Sequence, residues 1–174
     1  MRRSPNFSLT LLIAVALLLA GCSARQTAAA AVEDPWGIIT VPSGEPVRLL
    51  VATALNEDVV GPEGLEQLRG AQVSAANRRI AGFAVEIISE DTASDPGRAA
   101  GVPVNLTRDR RIVAVVGNTC SASCTATAET YDSARFTMVS PGCGASSLVD
   151  PVLHIPSFLR TAPDDALEAQ LAAG

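Results

Sequence analysis

Two segments restrict the fold more than anything else in the chain. Val47 to Leu55 (VRLLVATAL) and Ile112 to Val116 (IVAVV) are apolar at nearly every step. A strand with one wet face alternates polar and apolar residues. A run without alternation is buried on both faces, as in a parallel sheet covered by helices. Shorter runs of similar character follow at Phe83 to Ser89, Phe136 to Ser140 and Phe158 to Thr161.

The stretches between these runs read as helices. Gly61-Pro62-Glu63 breaks the chain, and a proline followed by an acid suits a first helical turn. Leu65, Leu68, Ala71, Val73, Ala75 and Ala76 then fall largely on one stripe, which predicts a helix over 63–80. Asp95-Pro96-Gly97 signals a second helix start. The helix predicted over 98–108 is weakened by Gly101 and Pro103, since an interior proline costs about 3 kcal/mol. A third helix is predicted over 121–134. A last one is capped by Asp164 or Asp165 and stops at Gly174. Strand and helix in alternation predict an α/β fold, a doubly wound, mostly parallel sheet flanked by helices.

Composition narrows the function classes. Hydrophobic residues make up 48% and charged residues 18%, too apolar a body for intrinsic disorder. Aromatics are 3%, so the core must be built from Val, Ile, Leu and Ala. The balance of 18 acids against 13 bases opposes nucleic-acid binding, which needs a basic footprint. The only histidine is His154, in a proline-flanked loop, and no Cys/His group has zinc-site spacing. No metal and no cofactor is expected.

The amino terminus points to a compartment. Arg2 and Arg3 precede a nearly unbroken apolar run, Leu9 to Ala20, too short to span a bilayer comfortably and suited to a signal-peptide core. It ends in Leu19-Ala20-Gly21-Cys22, which resembles the bacterial lipobox. Residues 1–21 are then a removable leader and Cys22 carries lipid. Residues 22–45 form an anchored linker, and the body stands outside the cytoplasmic membrane, where disulfides persist. The alternative is an ordinary secretory leader with an incidental cysteine.

In a doubly wound sheet, ligands bind beyond the carboxyl ends of the strands. Three such ends are rich in Gly, Ser, Thr and Asn: 56–61, 117–123 and 141–147. Gly117-Asn118-Thr119-Cys120-Ser121-Ala122-Ser123-Cys124 leaves a buried strand and opens a helix, where free amides and hydroxyls attract an anion. Simple capping by Ser121 or Thr119 explains the same residues without a ligand. In Ser140 to Ser147 the glycines allow close approach to the backbone.

Taken in order, GPEGLEQLRGAQ, EDTASDPGRAA, VAVVGNTCSASC, FTMVSPGCGASSLVD and FLRTAPDD resemble the amino-terminal lobe of the leucine/isoleucine/valine-binding family of type I periplasmic binding proteins. These are solute receptors of ABC transporters. The resemblance runs from about Val47 to Asp165 and assigns 46–165 to that lobe, with 166–174 as the start of a continuation. It implies reversible capture of a small solute, a branched-chain or related amino acid, and delivery to a permease. Ser121 matches the position that holds the ligand carboxylate. Gly142 matches a backbone carbonyl contact, and Gly144 stands where the family usually has a threonine. With Ser123 these form the expected ligand set. The resemblance also implies that a second lobe, and the segment returning to the first, are missing from this sequence. Truncation is the expected reason; a non-functional remnant is the alternative.

The resemblance bears on the cysteines too. Some members pair an early cysteine with the Cys120 position, but the early site here is Ser94. A Cys124–Cys143 disulfide bracing two ligand loops is expected, with Cys120–Cys143 as the alternative. Two other function classes stay open: a sensory lobe that reports ligand to a signalling partner, and an enzyme using Ser121 or Cys120. An enzyme would need a base within hydrogen-bond reach, and the sequence shows none.

Overall fold

A computed structural model describes residues 34, 36–56, 58, 60–106, 109, 111–152 and 155–174. The expected leader, Cys22 with its expected lipid, most of the expected linker and His154 lie outside the described residues.

Strand β1 is Val47–Thr53, helix α1 Gly61–Ala75, β2 Arg79–Ile80 and β3 Phe83–Asp91. Helix α2 follows at Pro96–Leu106, β4 at Ile112–Gly117, α3 at Ser121–Ser133 and β5 at Thr137–Ser140. A 3-10 turn at Ser146–Leu148, β6 at Phe158–Arg160 and α4 at Asp165–Ala173 complete the order. The sheet order is β2-β3-β1-β4-β5-β6, parallel throughout except for the β2–β3 hairpin. This is the doubly wound arrangement the sequence predicts.

Register explains the layering. Leu50, Val115, Met138 and Phe158 stand side by side across β1, β4, β5 and β6. All four are buried, in one core with Val102 and Leu106 of α2 and Ala128 and Tyr131 of α3. The next row, Val51, Val116, Val139 and Leu159, faces the other way. Helix α1 lies against β1 and β3, and Val51 is buried. Toward β6 the cover ends, and Leu159 is 54% exposed. Helix α4 buries none of its residues, so Leu167 and Leu171 are exposed as well.

Two expectations need correction. The helix predicted over 63–80 ends at Ala75, and Arg79–Ile80 is a strand antiparallel to β3. Asn77 turns left-handed at φ 60°, as residues just past a helix end often do. Ala81 and Gly82 both have positive φ, as a two-residue hairpin turn requires. The second correction concerns α2, which starts at Pro96 rather than at residue 98 and is described through Leu106, the last two residues of the predicted span lying outside the described residues. Pro103 is retained within it because burial of Ala99, Val102, Pro103 and Leu106 offsets the lost backbone bond.

Candidate functional site

The chain leaves β1 for β3 on one side of the sheet, then returns to β4 on the other, so the switch point lies between the carboxyl ends of β1 and β4. Backbone contact there is tight. A Cβ on Gly117 would stand 2.0 Å from the Ala52 carbonyl oxygen, and Gly117 has φ +138°. Thr119 joins three elements: its Oγ1 accepts from the Ala54 amide at 3.0 Å and donates to Gln67 Oε1 of α1 at 3.0 Å. A Cβ on Gly142 would lie 2.4 Å from the Thr119 carbonyl oxygen, which brings the loop after β5 against the loop after β4.

Ser140 fastens these two loops. Its Oγ donates to the Asn118 carbonyl at 3.0 Å and accepts from the amides of Cys143 at 3.0 Å and Gly142 at 3.3 Å. Cys124 and Cys143 form a disulfide that ties α3 to the loop after β5, across a sequence separation of 19. Cys120 keeps a free thiol, 2.9 Å from Ser94 Oγ.

Ser121 stands between the loops. Its Oγ accepts from the amides of Gly144 at 3.1 Å and Ala145 at 3.3 Å. Both acceptor positions of the hydroxyl are thereby taken, and its hydrogen remains to be donated. The amides of Ser121 and Ala122, in the first turn of α3, have no partner among the described residues. The Gly142 carbonyl likewise accepts no hydrogen bond from them. Gly144 differs: its amide goes to Ser121 and its carbonyl accepts from Asp165 N at 2.9 Å. Ser123 is fully buried and its hydroxyl has no partner among the described residues, so no solute reaches it in this structure.

Asp165 enters the site from the start of α4. Its Oδ1 lies 1.8 Å from where a Cβ on Gly144 would be, so the carboxylate fills the space a side chain at 144 would need. That carboxylate has no hydrogen bond to the described residues. The neighbouring Asp164 is committed instead. It caps α4 through the amides of Ala166 and Leu167, accepts from Ser146 Oγ at 2.8 Å and pairs with Arg160. The Ser146 hydroxyl, then the Arg160 guanidinium, hold its carboxyl down at about 2. Arg160 also donates to the Ala145 carbonyl at 3.1 Å, which steadies the loop that faces Ser121.

Asp91, at the end of β3, braces the first loop. It accepts from the amides of Leu55 and Ala93, each at 2.9 Å, and from Asn56 Nδ2 at 2.8 Å. Burial pushes its carboxyl up, but these donors, with Arg98, outweigh that and hold it below the usual range. Among the described residues no three His, Cys, Asp or Glu side chains group as metal ligands would.

The structure thus brings Ser121, Gly142 and Gly144 together and encloses Ser123. Thr119, Gln67, Ser140 and Asp165 were not in the expected ligand set. Asp165 stood within FLRTAPDD, but its proximity to Gly144 depends on how β6 and α4 pack.

Residues 71–173 match the family model for the receptor family ligand binding region. The chain belongs to this family. The fold of the receptor-family chain is that of solved type I periplasmic binding proteins. It is similar to an ABC transporter substrate-binding protein from Sphaerobacter thermophilus at 27% identity and TM-score 0.64, covering 74% of this chain and 36% of that one. A second similar structure is the branched-chain amino acid transporter substrate binding protein LivJ from Streptococcus pneumoniae in complex with isoleucine. It has 21% identity, TM-score 0.63, and coverage of 70% and 35%. A third is a solute-binding protein from Rhodopseudomonas palustris in complex with benzoate, at 17% identity, TM-score 0.63, and coverage of 74% and 38%. The receptor-family chain spans little more than a third of the length of these proteins. No curated protein sequence matches it.

Proposed function

We propose that this chain is the amino-terminal ligand lobe of an extracytoplasmic solute receptor, anchored through lipid on Cys22 and serving an ABC transport system with its permease. The solute class is a small amino acid, branched-chain or related. One observation carries the reading: the amides that open α3 and the Ser121 hydroxyl hydrogen are donors without a partner among the described residues, beside the loop after β5, whose Gly142 carbonyl is an unused acceptor. Amides at a helix start and a hydroxyl donor suit a carboxylate. The solved relatives support this, since isoleucine and benzoate, otherwise unlike, share that group.

The unpaired Asp165 carboxylate and the Gly142 carbonyl supply acceptors for an ammonium group beside it. Ser123 and Gly144 serve the frame: one is buried, and the other has both backbone groups engaged. The mechanism is reversible binding with no covalent step. The disulfide and Ser140 hold the donors in place before the solute arrives, which lowers the ordering cost of binding.

Calorimetric titration of the protein with a panel of amino acids and their deaminated acids tests the reading. Binding of a panel member that is lost in Ser121→Ala is expected. A panel without any binding overturns the amino-acid assignment and leaves the fold untouched.

A further inference from the structure

The end of the sheet opposite the ligand loops carries a second surface. The described segment before β1 runs past the start of β4, the approach to β5 and the end of α3. Ile38, Ile39 and Thr40 line a crevice of about 380 Å³ there with Leu106, Ile112 and Phe136. The segment is far from covered: Trp36 is 47% exposed, Ile38 65% and Ile39 44%. Arg135, at the end of α3, stands beside it, with a guanidinium nitrogen 3.9 Å from where a Cβ on Gly37 would be. Arg135 forms no ion pair with the described residues.

The acids nearby are engaged. Asp34 accepts from the Trp36 amide at 2.8 Å. Asp109 is held by Arg48 and Arg111, and Glu45 by Arg111. Among the described residues, the surface therefore offers an indole, two branched aliphatic chains, the Arg135 cation without an ion pair, and the exposed Asp34 carboxylate, whose bond is to a neutral backbone amide.

We propose that Trp36, Ile38 and Ile39 rest in the headgroup region of the membrane that holds the chain, with Arg135 on a lipid phosphate. The inference rests on the lipid anchor at Cys22, proposed above. Two observations favour a lipid surface over a protein partner. Trp36 lies 14 residues after Cys22, a span of at most about 50 Å when fully extended, so the patch is never far from lipid. An amphipathic indole belongs at the boundary between hydrocarbon and water. Because the patch and the ligand loops occupy opposite ends of the strands, such contact leaves the loops turned to the solvent.

Trp36 is the only tryptophan in the chain, so its fluorescence reports the patch alone. The full lipidated chain is reconstituted in phosphatidylcholine vesicles containing phosphatidylglycerol and tested by flotation. The expected result is a blue-shifted emission, loss of quenching by acrylamide, and quenching by lipids brominated near the headgroup. In the Ile38→Ser/Ile39→Ser variant acrylamide quenching returns while the chain still floats. If the parent floats with Trp36 fully open to acrylamide, the inference fails and the anchor reading stands. If the double variant stays as protected as the parent, the chain's own residues cover Trp36 and the inference fails too. A chain that does not float overturns both.

Discussion

The Ser94 hydroxyl lies 2.9 Å from the thiol of Cys120, a direct link between the turn after β3 and the start of α3. A cysteine in place of Ser94 faces a thiol already in position. Ser94→Cys is expected to form a second disulfide on oxidation, closing a loop of sequence separation 26. Chain entropy for a loop of that size is worth about 3 kcal/mol. Peptide mapping of the variant without reduction should find positions 94 and 120 cross-linked; two titratable thiols in oxidised protein would refute it.

Reduction of the native Cys124–Cys143 bond should act in the opposite sense. The bond closes a loop of separation 19, so its removal is expected to lower stability by about 3 kcal/mol. The loop after β5 also keeps its Ser140 bonds, so the fold should survive the loss. Urea denaturation of the parent and of Cys143→Ser, with and without reductant, reads this directly. Reductant should shift the midpoint of the parent and leave the variant unchanged.

Ser121 is asked to do two things, and they separate. Ser121→Ala leaves the amides of Gly144 and Ala145 without their acceptor, a cost of about 1–3 kcal/mol for partly buried donors. The loss in stability should appear in urea melts without any solute. Ser121→Thr keeps the acceptor and should melt close to the parent.

Glycines in α1 give a contrast with opposite signs. A Cβ on Gly64 would stand 1.8 Å from the Ala54 carbonyl oxygen, which is backbone and cannot swing aside. Gly64→Ala should therefore destabilise by roughly 2 kcal/mol or more as α1 is pushed off β1. Gly70 has nothing within 4 Å of its Cβ position. Gly70→Ala should stabilise by about 0.5–1 kcal/mol through helix propensity and chain entropy. Thermal melts of the two variants should move in opposite directions.

Acid should weaken the fold late. Asp109 is held at about 2, mainly by the Arg111 side chain, and Asp164 at about 2, by Ser146 and then Arg160. Both lie below the ordinary aspartate value of 3.8. A carboxyl whose folded value is lowered adds stability that is complete above its unfolded value and vanishes as pH falls through its folded one. Stability from these two groups should hold down to about pH 4 and decline toward pH 2. The urea midpoint measured against pH should show that decline, and a less steep one in Asp109→Asn.

The five parallel strands and their alternation with helices were legible in the sequence because each is a short, largely apolar run bounded by turn residues. The three polar loops were legible for the same reason, since Gly, Ser and Asn at strand ends contrast with what precedes them. Beside the family resemblance, the Cys124–Cys143 pairing drew on the closeness of neighbouring strand ends. The hairpin at Arg79–Ile80 was not legible, because two residues carry no periodicity and the helical stripe extends through them.

Local order along this chain therefore decided its class of fold and which strand ends carry polar loops. What tertiary structure alone decided is which groups stay free. Ser121 and Ser123 are two residues apart on one helix, yet one meets the loop after β5 and the other is sealed inside. Asp164 and Asp165 are adjacent, yet one caps and pairs while the other lies against Gly144 with no partner among the described residues. Residue type sets what a side chain can bond; the packing of β5, β6 and α4 sets whether a partner is already there.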